Sequence, residues 1–247
     1  MNITKEKHIY KYSPVNEYLL RNLINNELYF ANPIHFNDPF DCQFKLKMIK
    51  GSEAEKQFLN NLNVNESEFK NFEVYETEIS KGLEDSFNEG LLEKIGVTCF
   101  SEKPDNFLMW SHYGNSHQGI CLKFDWNVHP DFFQGKKIRY TKELPDINYF
   151  STKGFHNSIG KIVTSKLDYW KYENEIRSII QIGKSGKRNL CFNPKSLVGI
   201  IFGNKISKEN IEIIMRIIKL HDEYSNIQFY KSELTREKRI IKISEFV

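Results

Sequence analysis

Cysteine is scarce in this chain of 247 residues, and its four cysteines lie far apart. No two of them form the Cys-x-x-Cys pair that gives a structural zinc ion two close ligands. A chain of this length builds an apolar core without disulfides, so a small disulfide scaffold is excluded. We expect the four cysteines to be reduced thiols in the core, as free cysteines usually are: Cys42, Cys99, Cys121 and Cys191.

Long apolar runs are missing as well. No stretch approaches the roughly 18 consecutive apolar residues of a membrane helix, and residues 1–7 lack the apolar segment of a signal peptide. There is no Gly-x-Ser-x-Gly motif, which argues against a serine hydrolase with a nucleophile elbow. Internal repeats and low-complexity linkers are also missing. We therefore expect one cytoplasmic domain over residues 1–247, with no membrane partner.

Charge is nearly balanced over the whole chain but not along it. Charged residues make up 27% and hydrophobic residues 40% of the sequence, as in ordinary globular proteins. Residues 51–95 hold eleven Asp and Glu against four Lys, a net charge of −7, which leaves +10 on the rest. A basic remainder favours an anionic ligand such as a nucleotide or nucleic acid. We expect residues 51–95 to form an acidic helical insertion that can be shortened while the rest still folds.

Hydrophobic periodicity predicts an α+β protein. Segments rich in β-branched and aromatic residues, bounded by Gly, Pro or Asn, predict strands at 8–12, 27–31, 97–101, 118–125, 137–141, 173–181, 188–192, 197–202, 227–230 and 239–243. Helical spacing predicts helices at 15–24, 106–116 and 207–224, and apolar residues cover most of the last one, which predicts burial on more than one side. The economical fold is a single mixed β-sheet domain with flanking helices and the helical insertion.

The loop at 32–41 holds polar residues that packing does not require. Its prolines fix the backbone around Asn37 and Asp38, whose side chains either cap nearby N–H groups in an Asx turn or contact a ligand or metal. We expect this loop to pack beside the helix that carries His112 and Tyr113 and to form one wall of a pocket. His112 and Tyr113 are adjacent and lie on different helix faces, so at least one should face a cleft.

Two carboxylates stand close together in the strand predicted at 173–181. Alternation places Glu173, Glu175 and Arg177 on one face, with about 7 Å between the two acids. Like charges so placed raise one pKa or recruit a cation, and Arg177 is a candidate for that cation. The alternative interpretation is a solvated strand face with Arg–Glu ion pairs.

Six short motifs together resemble a broad bacterial family of unknown function. They lie at 10–12 (YKY), 36–41 (FNDPFD), 99–102 (CFSE), 109–113 (MWSHY), 119–125 and 170–177 (WKYENEIR). The members of that family are small cytosolic proteins, often encoded near anti-phage and mobile-element genes. The resemblance covers nearly the whole chain outside residues 51–95.

The layout of these motifs is similar to that of ADP-ribosyltransferases, which split NAD at the nicotinamide bond and pass ADP-ribose to an acceptor. The resemblance implies an ADP-ribosyltransferase-like fold with NAD as the substrate. It implies that Glu175 stabilises the oxocarbenium-like ribose, that Glu173 orients or deprotonates the acceptor, and that Tyr113 stacks on the nicotinamide ring. The residues implied in NAD binding are His8, Tyr10, Lys11, Ser101, His112, Asn37 and Asp38.

The function expected is therefore NAD-dependent ADP-ribosyl transfer or NAD cleavage by a cytosolic bacterial effector, acting in anti-phage defence or as a toxin on a protein or nucleic-acid acceptor. Activity is expected to depend most on Glu175, and Glu175→Gln is expected to leave stability nearly unchanged.

Two other classes of function stay open. A metal-dependent nuclease or phosphodiesterase would use oxygen and nitrogen ligands for Mg²⁺ or Mn²⁺, taken from Asp38, Asp41, Glu102, His112 and Glu175. A non-catalytic module would sense a nucleotide or a phage protein. NAD cleavage should survive a chelator, whereas a two-metal nuclease should not. The sequence leaves the oligomeric state open.

Overall fold

The computed structural model describes residues 7–47, 92–148, 159–235 and 240–246, together with positions 53, 56, 60, 90 and 237. Most of residues 51–95 lie outside this part of the chain, so the helical insertion stays a prediction. Among the described residues, no helix has the length and apolar character needed to cross a membrane.

The described residues form fourteen strands, numbered in chain order. They are β1 (His8–Ser13), β2 (Glu27–Tyr29), β3 (Lys45–Lys47), β4 (Ile95–Ser101), β5 (Ile120–Asp125), β6 (Lys136–Lys137), β7 (Arg139–Thr141), β8 (Asp146–Asn148), β9 (Ser165–Leu167), β10 (Glu175–Gln181), β11 (Asn189–Cys191), β12 (Leu197–Phe202), β13 (Gln228–Thr235) and β14 (Ile240–Glu245). Eight of them form one mixed sheet in the order β14-β13-β12-β5-β1-β4-β10-β6, and three two-stranded sheets accompany it in this part of the chain. The predicted α+β class with a large mixed sheet is confirmed.

β1 lies inside the large sheet, between β5 and β4. It pairs antiparallel with β5 along its whole length, from His8 opposite Asp125 to Ser13 opposite Ile120. On its other side, Tyr10 lies opposite Ser101 of β4. The parallel pair β12 and β13 makes the sheet mixed. β4 and β5 are interior strands of this sheet, and their side chains are buried over nearly their whole length.

The helices are short and carry side-chain caps where the sequence offers them. They are α1 (Glu17–Asn25), α2 (Phe107–His112), α3 (Pro130–Phe133) and α4 (Lys208–Lys219), and residues 159–163 are also helical. Single turns of 3₁₀-helix occur at Pro33–His35, Trp126–Val128, Pro194–Ser196 and Asp222–Tyr224, and a longer one at Asp168–Glu173.

α4 differs from its prediction in length and in burial. Ser207 caps it, since its Oγ accepts from Asn210 N at 3.2 Å, but the helix ends at Lys219 instead of continuing to residue 224. Its buried residues form one stripe at helical spacing: Ile211, Ile214 and Ile218. Leu220 is 81% exposed. The prediction that this helix is buried on more than one side is therefore wrong.

Both faces of the large sheet carry apolar side chains. On one face, residues of the central strands join residues of α1 and α4 in one core cluster, which includes Ile9, Leu122, Ile200, Leu19, Leu23, Ile211 and Ile214. A second cluster joins strand residues to α2 and includes Tyr12, Cys121, Ile201, Met109 and Trp110. The fully buried Trp110 packs edge-on against Tyr12, with ring centroids 5.2 Å apart. Burial of such large rings supplies much of the hydrophobic stabilisation.

The chain divides into two compact units. The first comprises the described residues of Met1–Ala31, Gly96–Ile138 and Tyr169–Val247, and it holds the large sheet. The second comprises those of Asn32–Ile95 and Arg139–Asp168, and it holds the pairs β3–β8 and β7–β9. That the whole chain folds as a single domain stays a prediction.

The four cysteines are free, as expected. Cys42 and Cys121 are buried and Cys99 is half-buried, but Cys191 is exposed. The expectation that all four are core residues is wrong for Cys191, which is the exposed last residue of β11.

Candidate active site

Glu173 ends a turn of 3₁₀-helix and does not belong to a strand. The turn spans Asp168–Glu173, and β10 begins only at Glu175. Between them Asn174 has φ of 45°, a left-handed conformation that asparagine tolerates better than most residues. The strand predicted at 173–181 is therefore too long. The prediction that alternation places both acids on one strand face is wrong, because Glu173 lies in the turn and Asn174, in a left-handed conformation, separates it from the strand.

The side chain of Glu173 is buried and hydrogen-bonded. Only 3% of the residue is exposed. Tyr113 Oη donates to Glu173 Oε1 at 2.6 Å, and Ser101 Oγ donates to the backbone oxygen of Glu173 at 2.6 Å. A short bond to a carboxylate is among the stronger hydrogen bonds in proteins. The end of β4 and the residue after α2 therefore both contact Glu173, the first at its backbone oxygen and the second at its carboxylate.

The turn itself is held by amide side chains. Asn106 Nδ2 donates to Tyr172 O at 2.6 Å, and Asn174 Nδ2 donates to the same oxygen at 2.9 Å. Glu102 N donates to Asn174 O at 3.0 Å. Several independent bonds thus fix the backbone around Glu173. The motifs at 99–102, 109–113 and 170–177 come together here.

Glu175 has a different partner. Its two carboxylate oxygens accept from Arg177, from Nε at 2.7 Å and from Nη2 at 3.1 Å. Glu175 is 4% exposed and Arg177 is fully buried. Arg177, the candidate cation of the sequence analysis, therefore pairs with Glu175. The pair lies inside the protein and not on a solvated strand face.

Lys11 and Cys99 lie close to this buried ion pair. Lys11 Nζ donates to Cys99 O at 3.1 Å. Burial lowers the pKa of Lys11, although the nearby Cys99 and Glu175 act in the opposite direction. Burial, and then the carboxylate of Glu175, raises the pKa of the Cys99 thiol well above its usual value. The sequence selected Lys11 as a ligand-binding residue, whereas in the structure its amine is bonded inside the protein.

Aromatic side chains lie in a row beside the Tyr113–Glu173 pair. The ring centroids of Trp170 and Tyr172 are 6.0 Å apart, those of Tyr172 and His112 are 6.2 Å apart, and those of His112 and Tyr113 are 6.3 Å apart. His112 is exposed while Tyr113 is half-buried, so the two adjacent side chains do point in different directions. The first two pairs are tilted and the third is edge-on, and ring faces of this kind are able to pack against a flat heteroaromatic ligand.

The first-strand residues take different positions. Tyr10, opposite Ser101, is half-buried and packs against the Tyr12–Trp110 cluster. His8 begins β1 opposite Asp125, two residues farther from Ser101 along the strand. Tyr10 is therefore beside the site, while His8 stands about 7 Å away along β1 from the rise per strand residue.

Asn37 and Asp38 belong to the second unit. Asn37 is exposed and Asp38 is buried. Asp38 Oδ1 accepts from Phe40 N at 2.9 Å, which is the Asx turn that the sequence offered as one interpretation. Packing of this loop beside His112 and Tyr113 stays a prediction.

Two site residues escaped the sequence reasoning. Asn106 precedes α2 and caps it, because its Oδ1 accepts from Leu108 N and Met109 N. The preference for asparagine at helix N-caps is the signal that could have found it. Asn174 carried no comparable signal, since its left-handed backbone follows from the tertiary position of the turn.

The arrangement presents a fixed carboxylate at low dielectric, next to a tyrosine hydroxyl and a row of rings. Such a group stabilises a developing positive charge or accepts a proton. A carboxylate at Glu173 also has a fixed orientation, so it needs little reorganisation in a reaction. Among the described residues, no group of three or more His, Cys, Asp and Glu is placed to hold a metal ion.

Comparison with known proteins gives one finding. Neither the search of curated proteins nor that of solved structures returned a significant match. The sequence profile of a family described as "Protein of unknown function (DUF2971)" matches residues 109–178, the part of the chain that carries Tyr113, Glu173 and Glu175. The expected likeness to a family of unknown function is thus confirmed for this segment, and the defence association stays a prediction. Residues 109–178 are therefore similar to the DUF2971 family, whose function is itself unknown.

Proposed function

We propose that the protein cleaves NAD at the nicotinamide bond, by ADP-ribosyl transfer or by hydrolysis, with Glu173 as the carboxylate that meets the ribose. One observation supports this most. Glu173 is held by Tyr113 through its side chain and by Ser101 through its backbone. A buried carboxylate held in one orientation by a specific neighbour is a candidate for a functional group.

The chemistry fits the neighbours of Glu173. Departure of nicotinamide leaves an oxocarbenium-like ribose, and a nearby carboxylate stabilises that charge. The rings of Tyr113, His112 and Tyr172 are inclined to one another, and any one of their faces is of a kind that packs against the flat nicotinamide. Tyr113 also donates to Glu173 and keeps its carboxylate oriented.

This proposal reverses the order of the two acids expected from the sequence. Both oxygens of Glu175 accept from Arg177, so its charge is already balanced inside the protein. We assign Glu175 to holding Arg177 and β10 in place. Tyr10, Ser101 and His112 keep their proposed places around the ligand, and the NAD-binding roles of His8, Lys11, Asn37 and Asp38 stay predictions. As part of the proposal, the protein is a cytoplasmic bacterial effector in anti-phage defence or a toxin system, acting on a protein or nucleic-acid acceptor.

The test is release of nicotinamide when the purified protein is incubated with NAD, with and without cell lysate as a source of acceptor. We expect release by the natural protein and a loss of at least about a hundredfold in Glu173→Gln, the usual effect of removing one electrostatic contact to the transition state. Glu233→Gln is the matched control, because Glu233 is exposed on β13 and bonds Ser244. It should leave the rate unchanged.

Two outcomes would contradict the proposal. If no nicotinamide appears under any condition, or if Glu173→Gln keeps the full rate, NAD cleavage at this carboxylate is wrong. Activity on nucleic acid that EDTA abolishes would instead support the metal-dependent nuclease or phosphodiesterase.

One observation favours a second candidate, a non-catalytic nucleotide-sensing module. Both acids are buried, at 3% and 4% exposure, and both are hydrogen-bonded. A site that only binds needs no carboxylate accessible to a reacting atom. Saturable NAD binding by calorimetry without nicotinamide release would identify this function.

A further inference from the structure

A cleft of about 110 Å³ lies along the loop 33–43 of the second unit. Its walls are largely carbon, from Pro33, Phe36 and Pro39, and its polar groups include Asp38 and Asp41. The volume is well above the roughly 10–15 Å³ that a single water molecule needs. The cleft therefore has room for a group of several atoms with an apolar surface.

Asp38 lines this cleft, and one oxygen of its carboxylate has no hydrogen-bond partner among the described residues. The residue is 5% exposed, and its Oδ1 accepts from Phe40 N at 2.9 Å. Its Oδ2 is buried, and no hydrogen bond reaches it from the chain that the structure describes. An unpaired buried polar group costs on the order of 1–3 kcal/mol, so native proteins nearly always pair them. The missing partner is a hydrogen-bond donor.

Asp41, the neighbouring acid of the same loop, is paired with a cation. Asp41 Oδ2 lies 3.5 Å from Lys166 Nζ, and both side chains are buried. Asp41 Oδ1 accepts from Cys42 Sγ at 3.4 Å. The fold thus supplies Asp41 with its own cation, whereas the described residues supply Asp38 only with a backbone N–H. A ligand that completes Asp38 should carry positive charge as well as N–H groups.

We propose that this cleft binds a guanidinium group, with Asp38 as its carboxylate partner. A guanidinium is planar, always charged and weakly hydrated, and it presents several N–H donors in one plane. Its flat face packs against proline and phenylalanine, while its edge donates to Asp38 Oδ2. The ligand is an arginine side chain or a small guanidinium compound. This assignment is an alternative to the NAD-binding role that the resemblance implied for Asp38, and it does not depend on NAD cleavage.

The test is an NMR titration of the full ¹⁵N-labelled chain with Nα-acetyl-arginine amide. Binding in the millimolar range is expected for a single buried ion pair of this size. The matched probe is Nα-acetyl-citrulline amide, which has nearly the same shape but no charge, and it should bind at least tenfold more weakly. A blocked tripeptide with a central arginine distinguishes a peptide ligand from a small guanidinium compound. If the tripeptide binds more tightly than Nα-acetyl-arginine amide, the ligand is a peptide. If the two bind equally, the ligand is a small molecule.

Asp38→Asn tests the residue itself. The amide keeps an oxygen for the bond from Phe40 N and removes the charge, so arginine-derivative binding should fall at least tenfold. Asp131→Asn, at an exposed residue of α3, is the control for net charge and should bind normally. The proposal is overturned if the arginine derivative does not bind, or if the citrulline or the corresponding lysine derivative binds equally well. If Asp38→Asn fails to fold, the relative binding of the arginine, citrulline and lysine derivatives to the natural chain still decides whether the cleft binds a guanidinium group.

Discussion

The two acids of the WKYENEIR segment have different partners, although one residue separates them. Glu173 accepts from the neutral hydroxyl of Tyr113, whereas Glu175 forms two bonds with the guanidinium of Arg177. Removing one partner of a buried ion pair is strongly destabilising, whereas a buried carboxylate that accepts from a tyrosine hydroxyl is a candidate for a functional group. Partner identity, more than position in the sequence, assigns the acids their different roles.

Glu175→Gln should destabilise the protein strongly. The substitution takes from the buried Arg177 the carboxylate that accepts from its Nε and Nη2, and removing one partner of a buried ion pair costs roughly 3–5 kcal/mol. This reverses the expectation from sequence that stability would barely change. Urea unfolding followed by tryptophan fluorescence measures the effect, with Glu233→Gln as the surface control. A free energy of unfolding equal to that of the control would show that the pair is not stabilising.

His117 makes stability depend on pH. Its ring is buried and stacks on Trp110, and no hydrogen bond reaches its Nδ1 within the described chain. Burial, and then the positive charge of Lys205, lowers the pKa of His117. The folded state therefore favours the neutral ring. Its contribution to stability is present above the unfolded pKa of about 6.5 and is lost as pH falls through the lower folded pKa.

His117→Asn isolates this contribution. Asparagine tolerates the left-handed backbone at this position, where φ is 70°. We expect the natural protein to lose more stability than the variant between pH 8 and pH 5, because both retain the other titrating groups. Urea unfolding at the two pH values measures the difference. An equal loss in both proteins would contradict the assignment.

At the scale of elements, α2 depends on its surroundings. Six residues are too few for a stable helix in water. Asn106 caps this helix and at the same time holds Tyr172 O. One side chain therefore fixes both the helix before Tyr113 and the turn that carries Glu173.

Substitutions of Asn106 separate these two contributions. Asn106→Ala should cost about 2 kcal/mol, of which about 1 is the cap and about 1 the bond to Tyr172. Asn106→Ser keeps a capping oxygen and should cost about 1 kcal/mol. Under the proposed function, both should reduce nicotinamide release similarly, because both release the turn. Asn16→Ala, which removes the cap of α1, is the control and should lower stability without lowering the rate. A normal rate in both Asn106 variants would contradict the positioning role.

At the scale of the whole molecule, the large sheet brings distant segments together. β4 and β5 follow each other in the chain with α2 between them, yet β1 lies between them in the sheet. This insertion of β1 puts Tyr10 opposite Ser101. The next strand beyond β4 is β10, so the turn that precedes β10 arrives at the end of β4. The Ser101–Glu173 bond follows from this strand order.

The sequence by itself determined the α+β class, most strands and the approximate positions of the longer helices, because periodicity and caps are local signals. It also selected Ser101, Tyr113 and Glu173. Only the tertiary structure decided which groups these residues contact. Strand order and ion pairing join residues far apart in the chain, and no local pattern reports them. For the same reason the break at Asn174, and the different partners of Glu173 and Glu175, became visible only in the folded chain.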